Sequence, residues 1–499
     1  MPAIATAADI GAEIAPRDSA SAIQPYLNRI IDQVTEFTLD NGMQFMVLER
    51  HQAPVVSFMT YADVGAANEA DGKTGLAHYL EHLAFKGTTR IGARDYPTEK
   101  QLLAQMDQVF DQLKAARAAD QTEAAAELEE KLATLQAEAA TYIEQNEMGQ
   151  AIEQAGGVGL NATTSADATR YFYSLPSNKL ELWMSLESDR FLDPVFREFF
   201  EEKSVVLEER KLRVDNSPIG TMVEQFLGTA FEGHPYQRPI IGYADDLYDA
   251  TRADVQQFFD TYYGPNNLTI AIVGDVDPVE VKQLAETYFG RFVAKPEPPA
   301  VEILQPAQTE PRELTVRLQS QPWYFEGYHR PEFNHPDHVV HQIIGSLLTS
   351  GRTSRLYQSL VEEQKIALNV VASSGFPGNK YPSLVLLYAL PAPGHTIDEV
   401  AQSLDAELER LKTEPVADAE LDRIKTQSRA SLLRTLASNR GLASLLAEYQ
   451  VKTGDWRNLF NELAAIDAVT AADVQRVAQA TFQPQNQTIG RLLPLADEG

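Results

Sequence analysis

The chain is organised around residues Thr74–Lys86, which read TGLAHYLEHLAFK. Apolar residues recur here at helical spacing and Gly87 follows as a stop signal, so we predict a helix. His78 and His82 are four residues apart, and both imidazoles therefore project from one face of that helix. Two neutral imidazole nitrogens at this separation can bind one zinc ion. Glu81 lies on the same side, where its carboxylate can reach a water bound to the ion. This order, H-x-x-E-H, is the reverse of the commoner H-E-x-x-H.

A third ligand is what distinguishes a zinc site from a solvated helix face that carries two histidines and a glutamate by chance. A catalytic zinc site takes three protein ligands and keeps a fourth position for water. The helix predicted near residues 200–214 offers four glutamates in two pairs, and the members of each pair are seven residues apart. The pairs are Glu202 with Glu209 and Glu201 with Glu208. Spacing does not choose between them, because each pair shares one face of the helix.

The composition is that of a globular protein with an acidic surface. The chain has 499 residues, of which 44% are hydrophobic and 23% charged, and this length corresponds to about two to four domains. The formal net charge of −29 argues against a nucleic-acid partner, because phosphate would be repelled. The same charge is compatible with basic peptide substrates. No run of eighteen apolar residues occurs, so we predict no transmembrane segment.

The chain contains no Cys, which excludes disulfides, thiolate zinc sites and cysteine nucleophiles. A chain without thiols tolerates oxidising and reducing compartments alike. The Ala-rich start, Met1–Ala8, lacks a charged segment and a long apolar core, so it is not a complete signal peptide. It could be the remainder of a trimmed one. We favour a periplasmic over a cytoplasmic location.

The organisation of the chain predicts an α+β fold. Residues 1–34 are predicted to form an N-terminal extension with a short helix near residues 23–31. Residues 35–294 are predicted to form a first α+β half, which opens with a hairpin that turns at Asn41-Gly42. Residues 295–311 hold five prolines and few large apolar residues, which is typical of a linker. Residues 312–499 form a second half.

The two halves are predicted to be homologous. The sequence Thr-Arg-Ala-Asp-Val-Gln at 251–256 recurs as Thr-Ala-Ala-Asp-Val-Gln at 470–475. A strand-like segment follows each copy in the same register. A helix and a strand that recur at a constant offset indicate a repeated unit. We therefore expect two related halves, each a mixed sheet with helices packed on it.

Residues 99–154 differ from the rest of the first half. They are rich in Ala, Glu, Gln and Lys and carry two apolar stripes at helical spacing. We interpret them as a helical hairpin inserted into the first half, either projecting from it or packed on its side. A plain pair of core helices is the alternative, and we assign no chemistry to this segment.

The sequence resembles the pitrilysin/insulinase family of inverted-zincin metallopeptidases, which includes the mitochondrial processing peptidase. The matching motifs are HxxEH at 78–82, Asn161-Ala162-x-Thr164, and Val-Val-Leu-Glu-Glu at 205–209. The resemblance implies that Zn²⁺ is bound by His78, His82 and Glu209, with Glu81 as the catalytic base. It implies that Glu202 is a supporting carboxylate. It also implies that Asn161, Ala162, Thr163 and Thr164 form an edge strand to which an extended peptide adds.

One departure from the family pattern predicts a partner. Active single-chain members carry an Arg and a Tyr in the second half, in a segment similar to residues 360–368 here. Val361 and Leu368 occupy those positions, and neither side chain can donate a hydrogen bond to a scissile carbonyl. We therefore expect a homologous subunit that supplies the Arg/Tyr pair.

The predicted function is that of a zinc endopeptidase that cleaves short or unfolded peptides inside a chamber, as the zinc-bearing subunit of a heterodimer. One alternative is a non-catalytic subunit of the same fold that serves assembly or holds substrate. Another is a zinc hydrolase of a different substrate class.

Overall fold

The computed structural model describes residues 27–495, in which two mixed β-sheets carry most of the helices on their faces. The strands of the first sheet are β1 Val34–Thr38, β2 Gln44–Glu49, β3 Val55–Ala62, β4 Val158–Thr164, β5 Thr169–Pro176 and β6 Leu268–Gly274. Those of the second are β7 Arg312–Leu318, β8 Trp323–Arg330, β9 Ala367–Phe376, β10 Ser383–Pro391 and β11 Gln487–Pro494.

The helices of the first half begin with α1, of which residues 27–33 are described. They continue with α2 Leu76–Leu83, α3 Tyr96–Ala118, α4 Thr122–Ala140, α5 Glu147–Gln154, α6 Leu180–Leu192, α7 Phe199–Arg210, α8 Pro218–Ala230, α9 Ala244–Asp249, α10 Arg252–Tyr262 and α11 Pro278–Tyr288. The second half has α12 His338–Thr349, α13 Ile397–Thr413, α14 Asp418–Ala437, α15 Asn439–Thr453, α16 Asn458–Ala468 and α17 Ala471–Thr481. The predictions for Met1–Ala8 and for residues 23–26 lie outside the described residues.

The two sheets repeat one plan, which confirms the predicted α+β fold of two homologous halves. The strand order is β1-β2-β6-β3-β5-β4 in the first sheet and β7-β11-β8-β10-β9 in the second. The pairs β2/β6 and β7/β11 are parallel, and the other neighbours are antiparallel. The two copies of the predicted repeat begin helices α10 and α17, and both helices have the same N-cap. Thr251 and Thr470 each form a capping box with the aspartate three residues later.

The segment over residues 99–154 is helical and packs into the first half through α3. The apolar residues of α3 belong to the same core as α2, and the Phe110 ring lies 5.0 Å from that of Phe200. Glu99 is fully buried and accepts from the equally buried Arg197 Nε at 2.7 Å. By position in their sheets β3 corresponds to β8 and β6 to β11, and the chain between β3 and β6 is longer than the chain between β8 and β11. The extra length of the first half therefore falls in the stretch that contains the hairpin.

Each sheet is covered on one face by a helix from the other half. Leu442, Leu446 and other apolar residues of α15 join a core cluster with Met59 and Tyr61 of β3. In the opposite direction α8 packs on the second sheet, where the Phe226 ring lies 6.0 Å from that of Phe325. The apolar cores therefore cross the linker in both directions. The domain boundaries predicted from the sequence repeat, 35–294 and 312–499, stay a prediction.

Helices α3 and α14 are the longest in the described chain. No helix within residues 27–495 is both long and apolar enough to cross a membrane.

Candidate metal centre

Helix α2 carries the H-x-x-E-H motif and is buried along most of its length, as the apolar spacing predicts. Its N-terminus requires Gly75, which has φ of +84° and whose added Cβ would lie 2.7 Å from the carbonyl oxygen of Ile241. Because glycine offers no capping side chain, Glu69 takes that role: its carboxylate accepts from the backbone N–H groups of Gly75 and Ala77, both at 2.8 Å. Burial raises the pKa of Glu69 to about 8, although these N–H donors favour its ionised form.

The side chains of His78, His82 and Glu209 converge. Glu209 Oε2 lies 3.7 Å from His78 Nε2 and 3.5 Å from His82 Nε2. Zinc bonds to nitrogen and oxygen are about 2.0–2.2 Å, so tetrahedral ligand atoms are about 3.4 Å apart. The three atoms therefore have the spacing and the chemistry of a zinc site. They form the one group of three such residues close enough to hold a metal ion among residues 27–495.

The surroundings of the two imidazoles act on their protonation in opposite directions. Burial, together with His82 and Arg213, lowers the pKa of His78 to about 3, so that imidazole is neutral. Burial opposes a charge on His82 as well, but the hydrogen bond to Glu202 and the negative charges of Glu202, Glu209 and Glu81 together outweigh it and raise the pKa of His82. His82 Nδ1 lies 3.1 Å from Glu202 Oε2, which fixes the tautomer that leaves Nε2 free to face Glu209.

Glu202 is also held by the Lys86 ammonium group. Lys86 Nζ lies 2.6 Å from Glu202 Oε1 and 3.0 Å from Glu198 Oε2. Burial alone would raise the pKa of Glu202, but the hydrogen bonds from His82 and Lys86 lower it. The two remaining glutamates of α7 turn away: Glu201 accepts from Gln136 and Glu208 pairs with Lys211. Of the two pairs that spacing left open, the structure therefore brings Glu202 and Glu209 to the histidines.

Glu81 sits between the histidines and the edge strand. Its carboxylate accepts a hydrogen bond from Thr164 Oγ1, and burial raises its pKa. Strand β4 is the outer strand of the first sheet, as predicted for Asn161–Thr164, and pairs only with β5 among the described strands. No other strand within residues 27–495 pairs with its outer edge, which can accept a further strand.

These residues line one open cavity of about 770 Å³. Its polar part consists of His78, Glu81, His82, Glu209, Arg213, Glu224 and residues 161–164. Its apolar wall contains Val214, Val223, Leu227, Ile240, Ile241, Phe376 and Pro377. We call it the metal-side cavity.

Several of its residues were missed by sequence reasoning. Phe376 and Pro377 come from the second half, and Asp167 holds their loop by accepting from the N–H groups of Asn379 and Lys380 at 2.8 and 3.0 Å. Arg213 lies one turn beyond Glu209 and places Nη1 2.8 Å from Glu209 Oε1. No local pattern marks the Phe376 loop, whereas the spacing of Arg213 from Glu209 is visible in the sequence.

The substituted positions of the second half lie elsewhere. Val361 packs against the core of the second half, and Leu368, on the edge strand β9, is 54% exposed. Neither is among the side chains that line the metal-side cavity.

Comparisons with known proteins identify the family to which the chain is similar. The sequence model of the insulinase family, peptidase family M16, matches residues 45–132 and 115–243. The model of the peptidase M16 inactive domain matches residues 249–428. Together the two models span more than half of the chain, and the second one begins at α10 of the first half and continues into the second half.

Relatives match over nearly the whole length. The zinc protease PqqE of Helicobacter pylori is 29% identical over 467 residues, which cover 92% of each protein. The probable mitochondrial-processing peptidase subunit beta of Arabidopsis thaliana is 24% identical over 92% of this chain and 78% of its own length. The crystal structure of a protease from Helicobacter pylori superposes with a TM-score of 0.78 and 28% identity, covering 92% of this chain and 99% of that one.

Proposed function

Because this chain belongs to the insulinase family of peptidases, M16, we propose that it is a zinc-dependent endopeptidase that cleaves short or unfolded peptides. One observation carries the proposal. Two imidazole nitrogens and a carboxylate oxygen converge at zinc-ligand spacing beside the half-buried Glu81 and an unpaired strand edge.

In the proposed site His78, His82 and Glu209 hold the ion, and Glu202 orients His82. Bound zinc polarises a carbonyl and lowers the pKa of water towards neutrality. Glu81 accepts the proton of the attacking water and passes it to the leaving amine. Its raised pKa makes the Glu81 carboxylate a stronger base for the first of these transfers.

The free edge of β4 offers the substrate backbone a strand to pair with. Backbone hydrogen bonds give affinity without requiring a particular sequence. Asn161, Ala162, Thr163 and Thr164 line the cavity at this edge, so a peptide added there passes Glu81. The apolar wall and the Phe376 loop restrict the cavity, which favours extended peptides over folded proteins.

The proposal includes a homologous subunit. Val361 and Leu368 stand where active single-chain relatives are expected to carry Arg and Tyr, and loss of one oxyanion donor typically costs about 10²- to 10³-fold in rate. A partner that brings both groups therefore raises peptide cleavage by that order. Full activity of the isolated monomer, unchanged by any co-purifying subunit, contradicts the heterodimer. We also propose a periplasmic location, which cell fractionation tests.

Two other functions remain testable. A non-catalytic assembly subunit has no need of three convergent ligands and a poised Glu81, and these favour catalysis. A zinc hydrolase of another substrate class would share the metal centre but not the use of the β4 edge. Assays with peptides of varied length separate these alternatives.

The decisive experiment is Glu81→Gln. The amide keeps the shape of the side chain but cannot accept a proton, so we expect unchanged zinc content and a loss of peptide cleavage of at least about 10²-fold. The matched control is Glu123→Gln on the exposed first turn of α4. Undiminished cleavage by the Glu81 variant, or a wild-type protein that binds no zinc, overturns the proposal.

A further inference from the structure

We propose that the face of β4 turned away from the metal binds an acidic side chain of the peptide substrate, through Arg440 and Arg170. This inference rests on the proposed function, because it requires a peptide added to the edge of β4. It goes beyond that function by naming a second binding site and the class of side chain that it takes.

Pairing in the sheet defines the two faces of β4. Asn161 lies opposite Phe172, and Thr163 lies opposite Arg170. Residues directly opposite on neighbouring strands share a face. Phe172 packs in the core cluster built on α15, whereas Ala162 packs in the cluster that contains α2. Asn161 and Thr163 therefore face α15, on the side of the sheet opposite the metal centre.

A cavity of about 430 Å³ lies on this face, and we call it the arginine cavity. Arg170 and Arg440 line it together with Met59, Thr163, Phe172, Thr435, Ser438, Gly441, Ser444 and Leu445. Thr163 also borders the metal-side cavity, so the two cavities meet at the edge strand. The two charged residues that line the arginine cavity, Arg170 and Arg440, are both cations. The threonine and serine hydroxyls beside them can donate hydrogen bonds.

Arg440 is held in place without a counter-ion. Its guanidinium carbon lies 4.0 Å from the centroid of the Phe172 ring, a stacking that orients the planar group. A Cβ added to Gly159 would lie 3.8 Å from Arg440 Nη1, which places the guanidinium beside β4. Within residues 27–495 no carboxylate forms an ion pair with it. The N–H donors of the Arg440 guanidinium can therefore bind a carboxylate of the substrate, although the chain as a whole has a net charge of −29.

Arg170 has spare donors as well. Its Nη2 lies 3.4 Å from Glu448 Oε1, but Glu448 is also bound by Lys452 Nζ at 2.7 Å, so two cations share that carboxylate. Arg170 Nε is buried and has no hydrogen-bond partner among the described residues. Arg170 and Lys452 thus share the single carboxylate of Glu448, and Asp167 is a further negative charge near Arg170.

The alternation of side chains along a strand links this cavity to cleavage. A residue of the added peptide that points into the metal-side cavity has neighbours that point to the other face, towards Arg440 and Arg170. The expected preference is therefore for Asp or Glu next to the residue that enters the metal-side cavity. The acidic surface at large favours basic peptides, so the selection applies to one position and not to the whole peptide.

The inference is tested by peptide binding to the zinc-loaded Glu81→Gln variant, which does not cleave the peptides. Any subunit that co-purifies with the variant is kept in the assay. Fluorescent peptides are compared in pairs that differ only by Glu or Gln, and the exchange is moved along the peptide one residue at a time. We expect one position, or two positions separated by one residue, at which Glu binds about tenfold more tightly, as a charge-assisted hydrogen bond permits. No preference at any position overturns the inference.

Variants assign the preference. Arg440→Gln is expected to reduce the Glu-to-Gln ratio to within about twofold of one, and Arg440→Lys to retain part of it, because lysine keeps the charge but not the planar fork. Arg317→Gln, an exposed arginine on β7, is the control and leaves the ratio unchanged. A ratio that survives Arg440→Gln contradicts the assignment. Cleavage of the Gln-containing peptides by the wild-type protein is measured separately. If binding shows the preference for Glu but no peptide is cleaved, the proposed peptidase function is contradicted and the proposed role of the arginine cavity is not.

Discussion

Glu209 differs from its neighbour Glu208 only in direction, and that difference can be measured. Glu209 Oε2 faces both histidines, whereas Glu208 is exposed and pairs with Lys211. We expect Glu209→Gln to lower zinc affinity by more than about 100-fold. Loss of a residue that only hydrogen-bonds to a metal ligand already lowers metal affinity by about 10- to 100-fold. Glu208→Gln is the matched control and keeps full zinc content. Equal zinc binding by the two variants, measured by competition with a chelator, removes Glu209 from the site.

At the scale of single residues helical spacing alone predicts that His78, Glu81 and His82 share one face, and the structure brings them to one cavity. Spacing could not choose between the glutamate pairs of α7, since both satisfy the same rule. The choice depends on which face of α7 is buried: Phe199 and Val206 enter the core, and Tyr79 of α2 donates a hydrogen bond to the carbonyl of Phe199. Those long-range contacts rotate Glu202 and Glu209 towards α2.

Helix α2 depends on Glu69, which lies outside it. The carboxylate accepts from two N–H groups at the start of the helix, and Gly75 cannot supply a side-chain cap. Glu69→Gln retains one acceptor oxygen and turns a donor towards the other N–H, so we expect a destabilisation of about 1–3 kcal/mol. We also expect weaker zinc binding, because His78 follows directly on the capped turn.

Chemical denaturation followed by helical signal, together with zinc titration, measures both effects of Glu69→Gln. Asp71→Asn is the control, because Asp71 lies two residues on, is largely exposed and pairs with Arg238 at the surface. A Glu69 variant as stable as the Asp71 variant shows that backbone N–H groups at this helix start need no cap.

At the scale of elements the family resemblance implies the edge position of β4, whereas the hairpin at Asn41-Gly42 and the succession of α10 and β6 follow from periodicity and turn residues. The partners of α8 and α15 do not. An apolar stripe indicates that a helix face is buried but not which sheet buries it. The close fit of α8 depends on Gly490, where an added Cβ would lie 2.2 Å from Met222 Cε. Such a fit between distant segments leaves no local signal in the sequence.

The pH dependence of stability involves a group far from the metal centre. Glu326 is fully buried in the second half, where it accepts hydrogen bonds from Tyr324, Tyr328 and Gln487. Burial first, and the neighbouring Asp405 second, raise the pKa of Glu326 above its ordinary 4.5. Because the folded state holds this proton more tightly than the unfolded state, the free energy of unfolding falls as the pH rises from 4.5 through the raised pKa.

Glu326→Gln removes that titration. Any cost of altered hydrogen bonds is the same at every pH, so the comparison between pH 5 and pH 8 isolates the charge. We expect the variant to lose less stability than the wild type over this interval, measured by denaturant unfolding. The exposed Glu310→Gln is expected to follow the wild-type curve. A Glu326 variant with an unchanged pH slope assigns the dependence to other groups.

At the scale of the whole molecule the exchange of α8 and α15 makes the two halves depend on each other. Cutting the chain in the linker, at a protease site inserted near residues 298–302, breaks no helix or strand. We expect the two fragments to stay together in gel filtration and to unfold in one transition. The reason is that each sheet would otherwise expose an apolar face: Met59 and Tyr61 on one, Phe325 on the other.

The protein with the inserted protease site left uncut is the control for the insertion itself. Phe226→Asp in the cut protein should release the fragments, because a carboxylate would then be buried against Phe325. Fragments that separate as folded monomers would instead make the halves autonomous domains, and the metal-side cavity, whose wall includes Phe376 and Pro377, would then open when they part.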